Sequence, residues 1–489
     1  MTPSDFSRRT ALPLLLVALG TAQAQAAPLP TAQQKQILSF ADGYQPSLDT
    51  VAKAIWDYSE VGYHETRSSK LLQDELTKAG FEVKAGVAGM PTAFIASYKR
   101  GRGPVIGILA EFDALPDMAQ TIAPEKQGIA GKAAGHACGH NLFGAASVAA
   151  AINTAQWMAK NNINGEVRLY GTPAEEGGGG KVYFARDGFF QDVDAVVNWH
   201  PGNSNSAAQS RWLATINVNF EFRGASAHAA GAPQVGRSAL DAVEAMNAMV
   251  NMMREHVPQE TRIHYAITDT PKAPNIVPAY AKVFYVIRHP DEAEDKAIFD
   301  RVVKAAEGAA LGTGTTMSYS LVGSFKNMLI NDTLGQVMDR NLRTVGGVKL
   351  TAAEKQWAGE VQTRLPAGTK KPLTEFETIR PYTTNELVSA SSDVGDVSYV
   401  APTVGLSTAT FVPGTPGHSW QVVAASGHPV GMKGAGVAAR TMALTAAELM
   451  TSPDVLKKAK AEWAERRGPN YKYETLMKDG KPPLNYWSE

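Results

Sequence analysis

The order of hydrophobic segments between residues 213 and 327 constrains the fold of this chain more than any other feature of its sequence. The segment ATINVNFEFRG alternates apolar and polar residues, which is typical of a strand with one face in water. An amphipathic helix, two strands, a second helix and a further strand follow in that order. The order β-α-β-β-α-β predicts a ferredoxin-like unit of roughly a hundred residues.

The residues before this unit follow a different pattern. Short apolar runs such as PVIGILAEFD and EVRLYG alternate with helical segments, and they have the character of strands buried on both faces. Such alternation predicts a layered α/β sheet, with ligand sites beyond the carboxyl ends of the strands. We therefore expect an α/β fold in which a layered main domain with a mixed sheet, residues 27–212 and 328–489, is interrupted by an inserted α+β unit at 213–327. A chain of 489 residues is long enough for both.

The N-terminal stretch MTPSDFSRRTALPLLLVALGTAQAQA is typical of a targeting segment. Arg8 and Arg9 precede an apolar run that is too short to cross a bilayer, and a small-x-small site follows at Ala24–Ala26. The paired arginines favour twin-arginine export to the periplasm, and an ordinary secretory signal is the alternative. We therefore assign residues 1–26 to a signal peptide and expect no stable membrane association.

Charge and cysteine usage narrow the possible functions. The chain has 47 Lys and Arg residues against 47 Asp and Glu residues, which argues against a nucleic-acid partner. Its only cysteine, Cys138, cannot form a disulfide within the chain. A lone cysteine in an exported protein is a small buried residue, an intermolecular link or a functional thiol.

Side chains of the types that bind metals lie at predicted strand ends and in tight loops, and they favour the interpretation of Cys138 as a functional thiol. Thiolate, imidazole and carboxylate are the groups that hold borderline transition metals. Adjacent carboxylates in TPAEEGGGG add to this pattern, although a solvated charged turn is the alternative. In the functional interpretation, Glu176 binds a metal and Glu175 accepts a proton from a metal-bound water. The candidate ligands are Cys138, His140, Glu176, His200 and His418.

Eight motifs in series resemble those of a known group of enzymes. The motifs are LAEFDALP, GHACGHN, TPAEEGGGGK, NWHP, FRGASAHA, NIVP, SSDVGDVS and GTPGHSWQ. In this order they resemble the aminoacylase and carboxypeptidase clan of dinuclear metallopeptidases. The chain is most similar to the aminobenzoyl-glutamate hydrolase branch of the amidohydrolases, which is related to the hydrolases of indole-acetyl-amino acids. The resemblance covers nearly everything after residue 26 and implies a catalytic domain with an inserted lid domain.

The resemblance also implies roles for individual residues. The five candidate ligands would hold two divalent ions, Zn²⁺ or Mn²⁺, with Cys138 shared between them. Glu175 would be the general acid and base, and His228 would stabilise the oxyanion. Asn275 and Arg288 would bind the substrate carboxylate. Glu111 stands where more distant relatives have a histidine ligand, so it is not included in the ligand set. The resemblance also implies that the lid domain would join two copies in a homodimer.

The expected function is metal-dependent hydrolysis of an amide bond in small N-acyl amino acid substrates that resemble aminobenzoyl-glutamate. A broader N-acyl-amino-acid hydrolase or a dipeptidase is the closest alternative, because the loops that set acyl specificity cannot be placed from sequence. A hydrolase that uses Cys138 as nucleophile and a non-catalytic metal-binding protein are two further alternatives.

Overall fold

The computed structural model describes residues 28–478 and 480–486, so the predicted signal peptide at 1–26 lies outside the described residues. The helices are α1 (Thr31–Tyr58), α2 (Thr66–Lys78), α3 (His140–Asn161), α4 (Gly180–Arg186), α5 (Ala239–Met253), α6 (Glu292–Thr313), α7 (Asp332–Val345), α8 (Ala352–Gln362), α9 (Val394–Val400), α10 (Trp420–Gly427), α11 (Pro429–Thr451) and α12 (Pro453–Arg467). The strands are β1 (Glu82–Ala85), β2 (Phe94–Arg100), β3 (Val105–Ala110), β4 (Gly165–Gly171), β5 (Ala195–Val197), β6 (His200–Gly202), β7 (Gln209–Arg211), β8 (Ala214–Arg223), β9 (Arg262–Asp269), β10 (Tyr280–His289), β11 (Thr316–Phe325), β12 (Thr384–Leu387), β13 (Thr403–Val404) and β14 (Ser407–Ala409).

The main sheet has six strands in the order β1-β2-β4-β3-β5-β13. β3 pairs in parallel with β4 and β5, whereas β2 is antiparallel to its neighbours, so the sheet is mixed. Both faces are covered: Ile106 and Ile108 of β3 belong to a core shared with α1, α3 and α11, while Leu109 lies in a second core with α4. This double burial explains the continuous apolar run of β3.

Helix α3 is buried from His140 to Ala155 and packs against α1 and α11. Its alanines leave little side chain between the helices, so the helices can approach closely. The helix begins at His140, with Gly139 and not Asn141 as its N-cap. Asn141 instead lies inside the first turn, where its buried amide donates to the carbonyls of Ala52 and Ser426.

A second, antiparallel sheet has the order β11-β8-β10-β9. Helices α5 and α6 pack on one face against apolar residues of β8 and β10. The element order is the predicted β-α-β-β-α-β, and the prediction of an α/β fold with a mixed main sheet is confirmed. We refer to residues 214–325 as the inserted unit. Among the described residues, no helix is long and apolar enough to cross a membrane.

Candidate active site

The candidate ligands meet at one edge of the main sheet. β3, β4 and β5 are parallel, so their carboxyl ends share an edge. Glu111 follows β3, the pair Glu175 and Glu176 lies in the turn after β4, and His200 begins β6 shortly after β5. The turn before α3 and the loop before α10 supply the other candidates, namely Cys138, His140 and His418.

Three overlapping groups of ligand atoms are close enough to hold metal ions, with the atoms of each group within 4.8 Å of one another. The groups are Cys138, His140 and His200; Cys138, Glu176 and His418; and Glu111, His140 and Glu175. The structure therefore brings all five predicted ligands together. Because Cys138 belongs to two groups, its thiolate is placed where it could contact two cations.

Among the described residues, four buried atoms in this cluster lack hydrogen bonds of normal geometry, namely both carboxylate oxygens of Glu111, Nε2 of His140 and Oε1 of Glu176. Nε2 of His140 lies 3.2 Å from Oε2 of Glu111, and Oε1 of Glu176 lies 3.2 Å from Nε2 of His418. Since a buried polar atom without a partner costs free energy, a coordinated cation would stabilise this arrangement, and the donor set fits a divalent metal.

The surroundings of the cysteine in the cluster favour its thiolate form. Burial alone would raise the pKa of the Cys138 thiol, but the imidazoles of His200 and His140 lower it well below its ordinary value. Sγ of Cys138 lies 3.4 Å from Nε2 of His200. Burial opposes protonation of His140, yet Cys138 and Asp113 raise its pKa well above the ordinary value. A thiolate is the form of cysteine that binds metals.

Further contacts fix the orientation of the imidazoles. Nδ1 of His140 donates to Oδ1 of Asp113 at 2.8 Å, and the other carboxylate oxygen of Asp113 accepts from the backbone N–H of Glu176 at 2.9 Å. Nδ1 of His200 donates to the carbonyl of Pro201 at 2.7 Å. Both rings therefore present Nε2 to the cluster, as ligands positioned by neighbouring acceptors do.

The backbone is left-handed at three points around the cluster. Gly139, between Cys138 and His140, has φ 78°, and a Cβ there would lie 2.9 Å from the ring of Phe411. Ala174 and His418 have φ 56° and 51°, which is uncommon for residues with a side chain. Such strain is concentrated at functional sites because the surroundings must hold it in place.

Glu175 and Glu176 differ from surface carboxylates in their protonation. Burial, followed by the charges of Glu111 and Glu176, raises the pKa of Glu175 well above its ordinary value. Burial and the charge of Cys138 raise the pKa of Glu176 to about 6. A carboxylate with a raised affinity for protons is suited to accept one from water and to release it later.

Sequence reasoning missed an ion-pair network beside the cluster. Nζ of Lys181, fully buried, lies 2.6 Å from Oε1 of Glu111 and 2.7 Å from Oδ1 of Asp393. The backbone N–H of Lys181 donates to the second carboxylate oxygen of Asp393 at 2.9 Å. Glu111 was left outside the ligand set, yet it lies between this ammonium and His140. The only signals in the sequence were the lysine after four glycines and the aspartate in SSDVGDVS.

A cavity of about 1280 Å³ opens above the cluster. Its floor includes Cys138, Glu175 and His418, and its opposite wall is the face of the second sheet that carries no helices. Arg288 of β10 lines this wall. Glu175 lines the same cavity, and burial lowers the pKa of the Arg288 guanidinium although the charge of Glu175 opposes this. The Nε atom of Arg288 is buried and has no hydrogen-bond partner among the described residues.

The structure does not bring His228 and Asn275 into this cavity. Both are exposed, on two stretches of the inserted unit joined by a bridge between His228 and Ile276. Nδ1 of His228 accepts the backbone N–H groups of Ala230 and Gly231 at 3.2 and 3.0 Å. Within one chain, the pocket therefore contains Arg288 but neither of the other two predicted residues from the inserted unit.

Comparison of the sequence with those of known proteins finds related hydrolases and peptidases. Residues 107–324 match the peptidase family M20/M25/M40. The chain is 38% identical to a subunit of the p-aminobenzoyl-glutamate hydrolase of Escherichia coli (strain K12), over 84% of this chain and 91% of that protein. It is 28% identical to the Xaa-Arg dipeptidase of Mus musculus, over 85% of this chain and 88% of the relative.

A solved structure supports the same fold. The YXEP protein of Bacillus subtilis, a dinuclear metal binding peptidase from the M20 family, superposes with a TM-score of 0.55 at 18% identity. The superposition covers 84% of this chain and 99% of that chain.

Proposed function

Because this chain belongs to the M20/M25/M40 peptidase family and is therefore a metal-dependent hydrolase, we propose that it cleaves the amide bond of N-acyl amino acids such as aminobenzoyl-glutamate. The observation that carries the proposal is the convergence of one thiolate, three imidazoles and two adjacent glutamates at the carboxyl edge of the main sheet. The 38% identity to part of an aminobenzoyl-glutamate hydrolase motivates the choice of substrate.

The metal ligands in this proposal form two sets that share Cys138. His140 and His200 complete one set, and Glu176 and His418 complete the other. Bound divalent ions polarise the amide carbonyl and lower the pKa of water. A thiolate ligand favours Zn²⁺, and Mn²⁺ is the alternative.

Glu175 is the proposed acid and base. It is adjacent in sequence to Glu176 but is absent from the two ligand sets that contain Cys138. As a carboxylate in the same cavity, it can take a proton from the attacking water and give that proton to the departing amine. The second step is required because an amine leaves poorly unless it is protonated.

Arg288 is the proposed partner of the substrate carboxylate. A guanidinium can bind a carboxylate through two parallel hydrogen bonds, and Arg288 lines the cavity. Since Arg288 and Glu175 line the same cavity, a carboxylate bound by Arg288 would hold the substrate in the pocket that contains the proposed base. A dipeptide also fits this arrangement, and the 28% identity to a dipeptidase makes a dipeptidase the second candidate function.

The assembly that we propose is a homodimer through the inserted unit. In such a dimer, the exposed His228 and Asn275 of one copy would reach the pocket of the other, where His228 would stabilise the oxyanion. An assembly with a different protein chain is the alternative, since the 38% identical relative is named as one subunit of its enzyme. For localisation we propose export to the periplasm, on the basis of Arg8, Arg9 and the small-x-small site at 24–26.

The test uses metal-free protein with Zn²⁺ or Mn²⁺ added back, assayed on aminobenzoyl-glutamate, acetyl-glutamate and a dipeptide. We expect a chelator to lower the rate at least a hundredfold and the metal to restore it. A chelator already saturated with the metal is the control. Activity that survives chelation but is lost on alkylation of Cys138 would favour the cysteine-nucleophile alternative, and metal binding without turnover would favour a binding protein.

A further inference from the structure

The chain after α12 crosses the molecule and ends its described course at the active site. We call residues 468–478 and 480–486 the C-terminal strap. Leu476 packs against the core of the inserted unit, whereas Met477 is buried in the core beside the main sheet. Nη1 of Arg186 donates to the carbonyls of Met477 and Gly480 at 3.2 and 2.7 Å. The strap is therefore anchored to both parts of the protein.

Its last described residues are part of the wall of the active-site cavity. Residues 483–486 all line the cavity. The hydroxyl of Tyr486 donates to the backbone carbonyl of Glu176 at 3.0 Å. The ring of Tyr486 packs edge-on against Tyr63 at a centroid distance of 5.7 Å, and it lies beside Gly177. The strap thus contacts the turn that carries the proposed base and one proposed metal ligand.

The polar and apolar parts of the cavity suggest which end of a substrate meets the strap. If Arg288 binds the carboxylate and the scissile amide lies at Glu175, the acyl group must occupy other parts of the wall. The apolar lining available for it comes from Trp212, Phe284 and Phe325, and from Leu484 of the strap. Flat aromatic groups bury well against such side chains.

We propose that Leu484 and Tyr486 of the C-terminal strap are specificity-determining residues that form the acyl side of the pocket and favour an aromatic acyl group over a small one. This inference rests on the proposed function. It goes beyond that function in assigning the acyl preference to a segment that carries no ligand or catalytic residue.

The experiment compares two substrates that share the amino acid and differ only in the acyl group, aminobenzoyl-glutamate and acetyl-glutamate. The variants are Leu484→Ala and Tyr486→Ala, with Leu311→Ala as a matched control, since Leu311 is 86% exposed on α6. We expect kcat/KM for aminobenzoyl-glutamate to fall roughly tenfold more than kcat/KM for acetyl-glutamate in both strap variants. Metal content and the thermal unfolding midpoint are measured on each variant.

A second measurement separates this inference from the proposed function. Binding of 4-aminobenzoate to the metal-loaded protein is measured by calorimetry for the same variants, which requires no turnover. A weaker affinity in both strap variants but not in Leu311→Ala supports the inference, even if the wild type hydrolyses neither substrate and the proposed function fails. Equal losses on both substrates, or an unchanged aromatic preference together with unchanged 4-aminobenzoate affinity, overturn it.

Discussion

The cluster around Cys138 and the exposed residues His228 and Asn275 of the inserted unit both carry predicted functional groups, but one chain organises them very differently. In the cluster, the side chain of His140 is fully buried and a carboxylate fixes its tautomer. His228 is exposed, and within the described part of the chain its side chain bonds only to the backbone of its own loop. A single chain thus brings the predicted metal ligands together, whereas it leaves two residues predicted to act on the substrate outside the pocket.

The difference has a physical cause. Buried charges persist only when partners satisfy them, so the cluster needs Asp113, Lys181 and their neighbours to hold its ligands in place. Exposed polar groups are hydrated and need no such support. They can therefore be presented to a second molecule without a large cost to the single chain.

The largest effect should come from changing the proposed base within the cluster. Glu175→Gln keeps the shape of the side chain but cannot accept a proton, so we expect kcat to fall about 10²–10⁴-fold with the metal content unchanged. Metal analysis and steady-state kinetics on the same sample check both parts. Glu176→Gln is the matched control, and it should lower metal content as well as rate. Near wild-type turnover in Glu175→Gln would remove Glu175 from the mechanism.

The sequence predicts those parts of the arrangement that leave a pattern among neighbouring residues. It does not predict contacts between residues that lie far apart along the chain. The ligands after β4 and β5 were predictable because strands leave a local hydrophobic pattern, and parallel strands bring their carboxyl ends to one edge. The order of elements in the inserted unit was predictable for the same reason.

Two features left no such pattern. Lys181 pairs with Glu111 and Asp393, which lie 70 and 212 residues away along the chain, and no periodicity connects charges that far apart. The strap is irregular and rich in proline and tyrosine, so its course to Tyr486 depends on tertiary contacts alone. The predicted role of His228 came from resemblance, and it would require a second copy that the sequence of one chain does not describe.

A smaller effect is expected from the exposed region. If His228 donates to the oxyanion of a neighbouring site, His228→Ala should lower kcat about 10²–10³-fold without changing metal content. Mixing this variant with Glu175→Gln then gives mixed dimers with one intact site, so about a quarter of wild-type activity should return. Subunit exchange is checked by mass spectrometry. Subunit exchange without recovery of activity would place His228 outside the partner's site. The structural difference between the buried cluster and the exposed residues would then not correspond to a difference in function.

The smallest effect concerns a buried carboxyl group of the inserted unit that, unlike Glu111 and Glu176 of the cluster, has no cation within ion-pair distance among the described residues. Burial, followed by the charge of Glu292, raises the pKa of Asp295 from 3.8 to about 8, although Arg288 opposes this. The folded protein therefore keeps this proton up to about pH 8, whereas the unfolded chain loses it near pH 4. The stabilising contribution of the protonated form is complete below pH 4 and is lost as the pH rises to 8.

Asp295→Asn removes this titration because the amide stays neutral at every pH. We expect the free energy of unfolding of the variant to exceed that of the wild type by about 1–3 kcal/mol at pH 8, with the difference shrinking towards pH 5. Urea unfolding at several pH values measures it, and Asp300→Asn on the exposed face of α6 is the control. A difference that does not depend on pH would mean that Asp295 is ionised in the folded protein. The inserted unit would then tolerate a buried charge much as the cluster does.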